Sequence, residues 1–209
     1  MNFLYYLFFL TIFLLIINSF FINKNILISE TGDRHQKFAS KDKVPLTGGI
    51  FIFFSFLFFI NEKILSFILF SFLIVLLGIF SDLKDIKSAF IRFVIQISLV
   101  LSFVIFNDLQ LSNTKIFLLD QLLLSETFNY LFVSFCILIV INGSNFFDGL
   151  NTLNIGYYIL IASVIYYLKF NDLIFIDELF IEYILIVLVI TFFLNFLNKI
   201  YLGDSGSYL

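Results

Sequence analysis

The stretch "FNYLFVSFCILIVINGSNFFDGLN", Phe128 to Asn151, changes character halfway along. Its first half is almost wholly apolar and, with flanking residues, is long enough to form a helix that crosses a lipid bilayer. Its second half, from Ile141, holds three asparagines, one aspartate and two glycines. The stretch therefore predicts a transmembrane helix whose end carries a polar site.

The same apolar pattern recurs along the whole chain of 209 residues, of which 61% are hydrophobic and only 13% charged. A soluble domain of this length has about a quarter of its residues charged. Seven apolar segments are predicted as spans: Phe3–Ile22, Leu46–Ile60, Ile64–Phe80, Phe93–Phe106, Phe128–Ile141, Ile155–Leu168 and Leu179–Leu194. We therefore expect an all-α polytopic integral membrane protein with about seven transmembrane helices, forming a single transmembrane domain over residues 1–209.

The basic residues are divided unevenly between the two alternating sets of predicted loops. Of the 12 lysines and arginines, only Lys63, Lys115 and Lys169 fall in one set, and the other nine fall in the second. The positive-inside rule places the richer set in the cytoplasm and the N-terminus outside. The net charge of −3 and the lack of a basic run argue against a nucleic-acid partner.

Four polar clusters fall in or beside the loops predicted to be cytoplasmic: "DRHQKFASKDKVPLTGG" (33–49), "SDLKDIKSAFIRFVIQ" (81–96), "NGSNFFDGLN" (142–151) and "NKIYLGDSGSYL" (198–209). In the first, two glycines permit a close backbone approach to a ligand, and amides at a helix start can hold an anion. In the second, Asp82 and Asp85 are suited to Mg²⁺, and Arg92 and Gln96 follow at the start of the next span. A solvated basic loop and a short loop of mixed charge are the plainer interpretations of these two clusters.

The third cluster places Asn142, Asn145, Asp148 and Asn151 every three residues, so that successive members are neighbours on a helix. Asparagine and glycine favour unwinding there, which would turn the row into a pocket wall, and a simple helix cap needs only one such residue. In the fourth cluster, "GDSGS" presents a carboxylate, hydroxyls and backbone amides that can face a phosphate, although an ordinary turn has the same composition.

In this order, the four motifs resemble the polyprenyl-phosphate N-acetylhexosamine-1-phosphate transferases (glycosyltransferase family 4). This family includes phospho-N-acetylmuramoyl-pentapeptide transferase and undecaprenyl-phosphate GlcNAc-1-phosphate transferase. The resemblance implies transfer of a sugar-1-phosphate from a UDP-sugar to polyprenyl phosphate, with release of UMP. It further implies Mg²⁺ as cofactor, a role in cell-envelope polysaccharide or peptidoglycan lipid-intermediate synthesis, and a location in the inner membrane. A homodimer is left open.

The resemblance also assigns roles to residues. It implies Asp82, Asp148 and Asp204 as catalytic residues, with Asp204 and Asp82 as ligands of the metal. The residues that it implies for substrate binding are His35, Lys43, Thr47, Asn142, Asn145, Asn151, Asn195 and Ser205.

The chain departs from the family pattern at three points. Ser81 stands where the family commonly has a first aspartate, unless Asp85 substitutes for it, and Asn151 stands where the family has an aspartate. The family also continues for several helices beyond the fourth motif, so we expect this chain to be the N-terminal part of the transferase fold. Two alternatives stay open: an inactive truncated fragment, and a membrane transporter whose intramembrane Asn and Asp mark an ion path.

Overall fold

The computed structural model describes residues 2–29, 43–59, 65–148, 152–174 and 177–209, and these ranges are almost entirely helical. The helices are α1 (Asn2–Lys24), α2 (Gly48–Phe56), α3 (Leu65–Asp82), α4 (Ala89–Phe106), α5 (Phe117–Leu123), α6 (Glu126–Phe147), α7 (Leu153–Phe170), α8 (Glu178–Phe196) and α9 (Gly203–Ser207). Within the described ranges the only strand-like pairing is an isolated bridge between Ile28 and Pro45. The expected all-α class is confirmed.

Six of these helices (α1, α3, α4, α6, α7 and α8) are long and apolar enough to cross a membrane. Many of their large apolar side chains point away from the bundle. Phe106 and Phe170, for example, are 81% and 74% exposed. An apolar outer surface of this kind marks contact with lipid. The protein is thus a multi-pass membrane protein.

The second predicted span differs from the expectation. It contains the nine-residue helix α2, which a 3₁₀ turn at Leu57–Phe59 extends. A helix of this length covers only about 14 Å, less than the thickness of the hydrocarbon layer. The start of α2 is fixed to α1, because Thr47 Oγ1 donates a hydrogen bond to Asn18 Oδ1 at 2.9 Å.

The interior consists of two main apolar cores. The first joins α1, α2, α7 and α8 around Tyr183 and Phe51, and the second joins α3, α4 and α6 around Val100 and Ile74. The C-terminal segment belongs to both, because Leu202 packs in the first core and Tyr208 in the second. The C-terminal segment therefore packs against both cores and connects them.

Candidate active site

Three glycines let the C-terminal segment enter the bundle. A Cβ atom on Gly49 would lie 2.4 Å from the backbone nitrogen of Gly206, and one on Gly78 would lie 2.3 Å from Ser205 Cα. The amides at the start of α2 are also used by this segment, since Gly48 N–H donates to the Tyr201 carbonyl at 2.9 Å. The expected close backbone approach thus occurs, but the partner is the fourth motif rather than a ligand.

Asp82, the last residue of α3, holds the beginning of α9. Its Oδ1 accepts a hydrogen bond from Asp204 N–H at 2.8 Å, and its Oδ2 accepts one from Ser205 N–H at 3.2 Å. The carboxylate lies directly against Gly203, whose φ of +66° belongs to the left-handed region. A Cβ at Gly203 would lie 2.7 Å from Asp82 Oδ2, so only glycine fits both the conformation and the space.

The two oxygens of the Asp204 carboxylate have different surroundings. Oδ2 accepts hydrogen bonds from Arg92 Nη1 at 2.6 Å, from the Tyr208 hydroxyl at 3.2 Å and from the Ser81 hydroxyl. Oδ1 has no hydrogen-bond partner among the described residues. The protein therefore fixes Asp204 through one oxygen and leaves the other oxygen available to a ligand.

Asp148 follows the last residue of α6 and lies near Asp82 and Asp204, with which it forms a cluster of three aspartates. Its burial, followed by the charges of Asp82 and then Asp204, raises the pKa of Asp148 to about 8. Its carboxylate makes no hydrogen bond within the described ranges. The structure thus brings together Asp82, Asp148 and Asp204, which come from three different motifs. We call the part of the bundle where they meet the motif end.

Asn145 connects the third motif with the fourth. Its Oδ1 accepts a hydrogen bond from the Ser207 hydroxyl at 3.1 Å, and its Nδ2 donates to the Tyr208 hydroxyl at 3.4 Å. Helix α6 continues through Phe147. The expected unwinding of the amide row therefore does not occur before that residue, because the helix is held by this packing against α9.

Most of the other residues predicted to bind substrate have protein partners instead. Asn195 accepts from Thr152 N–H at 2.9 Å and donates to the Ile200 carbonyl at 3.1 Å, which ties the third motif's loop to the fourth motif. The Ser205 hydroxyl donates to the Leu202 carbonyl at 3.4 Å. Thr47 is buried against Asn18, as described above.

Two more of the predicted residues bind protein groups near the surface. Exposed Asn142 donates to the carbonyl of Leu138 in its own helix at 2.8 Å, and Lys43 Nζ donates to Asn25 Oδ1 at 2.6 Å. His35 and Asn151 lie outside the described residues. The substrate-binding roles of this group stay predictions.

Three side chains of the cluster were not among the predicted site residues: Arg92, Ser81 and Tyr208. Arg92 forms the ion pair with Asp204, and its signal in the sequence was a lone arginine at the start of an apolar span. Ser81 is buried and bridges Arg92 and Asp204 with its hydroxyl. Asp85 is exposed and, among the described residues, makes no recorded contact with the cluster, so it does not fill the place of Ser81.

Tyr208 is buried, and its position next to the "GDSGS" motif gave no sign of a polar role. Burial, followed by the neighbouring charge of Asp204, raises the pKa of Tyr208 to about 12. Its hydroxyl group is therefore protonated at neutral pH and can donate to the Asp204 carboxylate.

The donor set suits a magnesium ion that also binds phosphate. Mg²⁺ usually takes one or two carboxylates and completes its shell with water and substrate phosphate oxygens. Asp204 Oδ1 and the Asp148 carboxylate are without described partners, and each oxygen of Asp82 accepts one amide and keeps a lone pair that could coordinate the ion. Within the described ranges no group of three or more His, Cys, Asp and Glu side chains is arranged to hold a metal by itself. A phosphate-bearing substrate would have to supply the other ligands.

Comparison with known proteins gives one match. The model of the family described as glycosyl transferase family 4 matches residues 64–209, which contain the second, third and fourth motifs. No curated protein and no solved structure matches the chain. Because the family match covers more than half of the chain, the protein belongs to glycosyl transferase family 4, whose members in general transfer a sugar-1-phosphate from a sugar nucleotide to a polyprenyl phosphate.

Proposed function

We propose that this protein transfers N-acetylhexosamine-1-phosphate from a UDP-sugar to polyprenyl phosphate and releases UMP. The step belongs to the synthesis of lipid intermediates for envelope polysaccharide or peptidoglycan, at the inner membrane. The observation that carries the proposal is the meeting of Asp82, Asp148 and Asp204 beside Arg92 at the motif end. When all three are ionised, three carboxylates against one arginine leave an excess of negative charge that a divalent cation would balance.

Phosphoryl transfer depends mainly on alignment and on stabilising the charge of the transition state. When bound, Mg²⁺ would be held by Asp204 and Asp82 and would neutralise the diphosphate of the donor. In the reaction an oxygen of the polyprenyl phosphate forms a bond to the sugar-bearing phosphorus, and the bond from that phosphorus to the bridging oxygen breaks. UMP leaves with the bridging oxygen.

Asp148 is suited to a proton-transfer role in this step. Because its pKa is raised to about 8, its carboxylate is basic enough to take a proton from a singly protonated polyprenyl phosphate. The accepting atoms would be Oδ1 or Oδ2 of Asp148, which have no described partner. This would make the attacking phosphate fully anionic at the moment of attack.

The position of the cluster also suits a lipid acceptor. A cleft of about 420 Å³ lies between α6 and α7 and is lined mainly by apolar side chains, among them Phe147, Leu153 and Tyr157. Two of these residues flank the segment that begins with Asp148. An isoprenoid chain lying in the membrane could therefore bring its phosphate to the cluster without leaving the bilayer.

A transporter would place its polar groups near the middle of the membrane, in broken helices. Here the carboxylates lie at the end of α3, just after α6 and in α9, which favours a reaction at the membrane surface. The alternative of ion transport therefore has less support from the geometry.

The test uses purified protein in lipid nanodiscs with polyprenyl phosphate, Mg²⁺ and either UDP-GlcNAc or UDP-GalNAc. We expect release of UMP together with a lipid-linked sugar diphosphate, and loss of both in the Asp204→Asn variant. The matched control is Asp120→Asn, whose carboxylate binds Thr114 near the short helix α5, away from the cluster. Absence of UMP with every UDP-N-acetylhexosamine, or an Asp204→Asn variant as fast as its parent, would contradict the proposal.

A further inference from the structure

We propose that Tyr208 is a positioning residue that orients the Asp204 carboxylate and fixes α6 and α4 against it. This inference rests on the proposed function and names a residue that the family motifs do not include. Tyr208 is 4% exposed and lies immediately after α9. Its hydroxyl group contacts residues from α4, α6 and α9.

The hydrogen-bonding capacity of this hydroxyl is fully used. A phenol has one proton to donate and two lone pairs to accept with. The hydroxyl of Tyr208 donates to Asp204 Oδ2 at 3.2 Å and accepts from Asn145 Nδ2 at 3.4 Å and from Arg92 Nη1 at 3.5 Å. The donor and acceptor directions match the chemistry of all three partners.

These contacts determine which way Asp204 faces. Tyr208 joins Arg92 and Ser81 as a third donor to Oδ2, so rotation of the carboxylate would break three hydrogen bonds at once. The three hydrogen bonds to Oδ2 consequently keep Oδ1 on the other side of the carboxylate, where it has no described partner. Tyr208 itself touches neither of the other two aspartates in the described contacts, so it acts on the site through Asp204.

The aromatic ring serves a separate purpose from the hydroxyl. It packs in the core of α3, α4 and α6 with Ile74, Val100, Leu138 and Ile141. The Tyr208→Phe substitution keeps this packing and removes only the hydroxyl. Tyr201→Phe is a matched control, because Tyr201 is a buried tyrosine of the same segment whose hydroxyl binds Asn198 instead.

The first measurement compares steady-state kinetics of the parent, Tyr208→Phe and Tyr201→Phe, normalised to folded protein. We expect Tyr208→Phe to lower kcat about tenfold or more while KM for the UDP-sugar changes less than about threefold, because only an orienting interaction is lost. Tyr201→Phe should match the parent. If kcat of Tyr208→Phe stays within about twofold of that of Tyr201→Phe, the inference is wrong.

The second measurement does not depend on activity. Thermal unfolding midpoints are compared for the parent, Tyr208→Phe, Asp204→Ala and the double variant. We expect Tyr208→Phe to lower the midpoint of the parent but to have little further effect in the Asp204→Ala background, since the two groups share one interaction. Equal shifts in both backgrounds would overturn the inference. Parent protein that releases no UMP would contradict the proposed function instead, and the unfolding comparison would then decide the inference alone.

Discussion

Polar residues gather at both ends of the helical bundle, but they are connected differently. At the motif end, hydrogen bonds join residues far apart in the chain: Arg92 and Asp204 are 112 positions apart, and Asp82 and Asp204 are 122 apart. At the opposite end, the side chains that hold the loops between α4 and α6 have partners closer in sequence. Tyr130 donates to Asp108 from 22 positions away, and Asn129 binds Leu111 from 18.

The two ends also differ in what they leave unused. At the opposite end, Asn129 both donates to and accepts from the backbone of Leu111, and Asp120 accepts from the backbone and the hydroxyl of Thr114. These side chains close loops. At the motif end, Asp148 and one oxygen of Asp204 are left without described partners. A high density of polar residues thus does not mark a site by itself, whereas long-range convergence with unused charged groups does.

The largest expected effect comes from exchanging one aspartate at each end. Asp204→Asn should lower the rate of UMP release about 10²- to 10³-fold, because a preorganised charge at the reacting phosphates is lost. Asp108→Asn removes a carboxylate of the opposite end and should leave the rate unchanged. Measuring UMP release for both variants checks this. Similar losses for the two would remove the functional distinction between the ends.

The next effect concerns the ion pair between Arg92 and Asp204. Arg92→Gln should lower the rate about 10- to 100-fold, because a hydrogen bond to a charged group contributes about 1.5–3 kcal/mol. All of the described polar contacts of Arg92 are made by one nitrogen, Nη1. Because a lysine ammonium offers three N–H donors on one nitrogen, Arg92→Lys should retain more activity than Arg92→Gln. Equal loss in both variants would mean that the guanidinium shape, rather than the charge at that point, is required.

The third effect tests the packing that makes the motif end possible. Gly78→Ala should destabilise the protein by about 1–3 kcal/mol, because the added methyl group would overlap the backbone of Ser205. Gly143 lies in α6, and a Cβ atom added there would have no neighbouring heavy atom within 4 Å. Gly143→Ala should therefore be neutral or stabilise the protein by up to about 1 kcal/mol through helix propensity. Thermal unfolding in nanodiscs measures both. A stable Gly78→Ala variant would show that α9 is not wedged against α3.

Local properties of the sequence predicted much of this arrangement. The apolar length of segments such as Phe3–Ile22 is a local signal, and it correctly indicated the six long helices. The resemblance to the family, rather than a local signal, predicted that Asp82, Asp148 and Asp204 would lie together; in the structure Asp82 accepts from Asp204 N–H, and the charges of both act on Asp148. The predicted span Leu46–Ile60 was itself shorter than the roughly 20 residues that cross the hydrocarbon, but the hydrogen bond between Thr47 and Asn18 at the start of α2 is a contact that hydropathy does not contain.

The residues missed at the site share a physical reason. Tyr208 and Ser81 look like ordinary membrane-helix residues, and their role arises only when α9 inserts beside α3 and α4. Gly49 and Gly78 were noticeable as small residues, but nothing in the sequence identified the C-terminal segment as the surface that they contact. Pairings over more than 100 positions cannot be deduced from one sequence by local rules.

The smallest expected effect is a dependence of stability on pH that comes from the motif end alone. The pKa of Asp148 in the folded protein is about 8, above its ordinary value of 3.8. The folded protein therefore binds a proton more tightly than the unfolded chain, and this contribution to stability is complete below about pH 4 and lost as the pH rises towards 8. With metal removed by EDTA, the unfolding midpoint should fall by a few degrees over this interval, because each kcal/mol of lost stability lowers the midpoint of a protein of this size by about 2–4 °C. Asp148→Asn, which cannot ionise, should lose this part of the dependence and be more stable than the parent at pH 8.5.

Asp120→Asn at the opposite end is the control, and its unfolding midpoint should keep the slope of the parent with pH. If Asp148→Asn and its parent show the same slope in EDTA, then burial and the charges of Asp82 and Asp204 do not raise the pKa of Asp148. The motif end would then hold no more unbalanced charge than the opposite end.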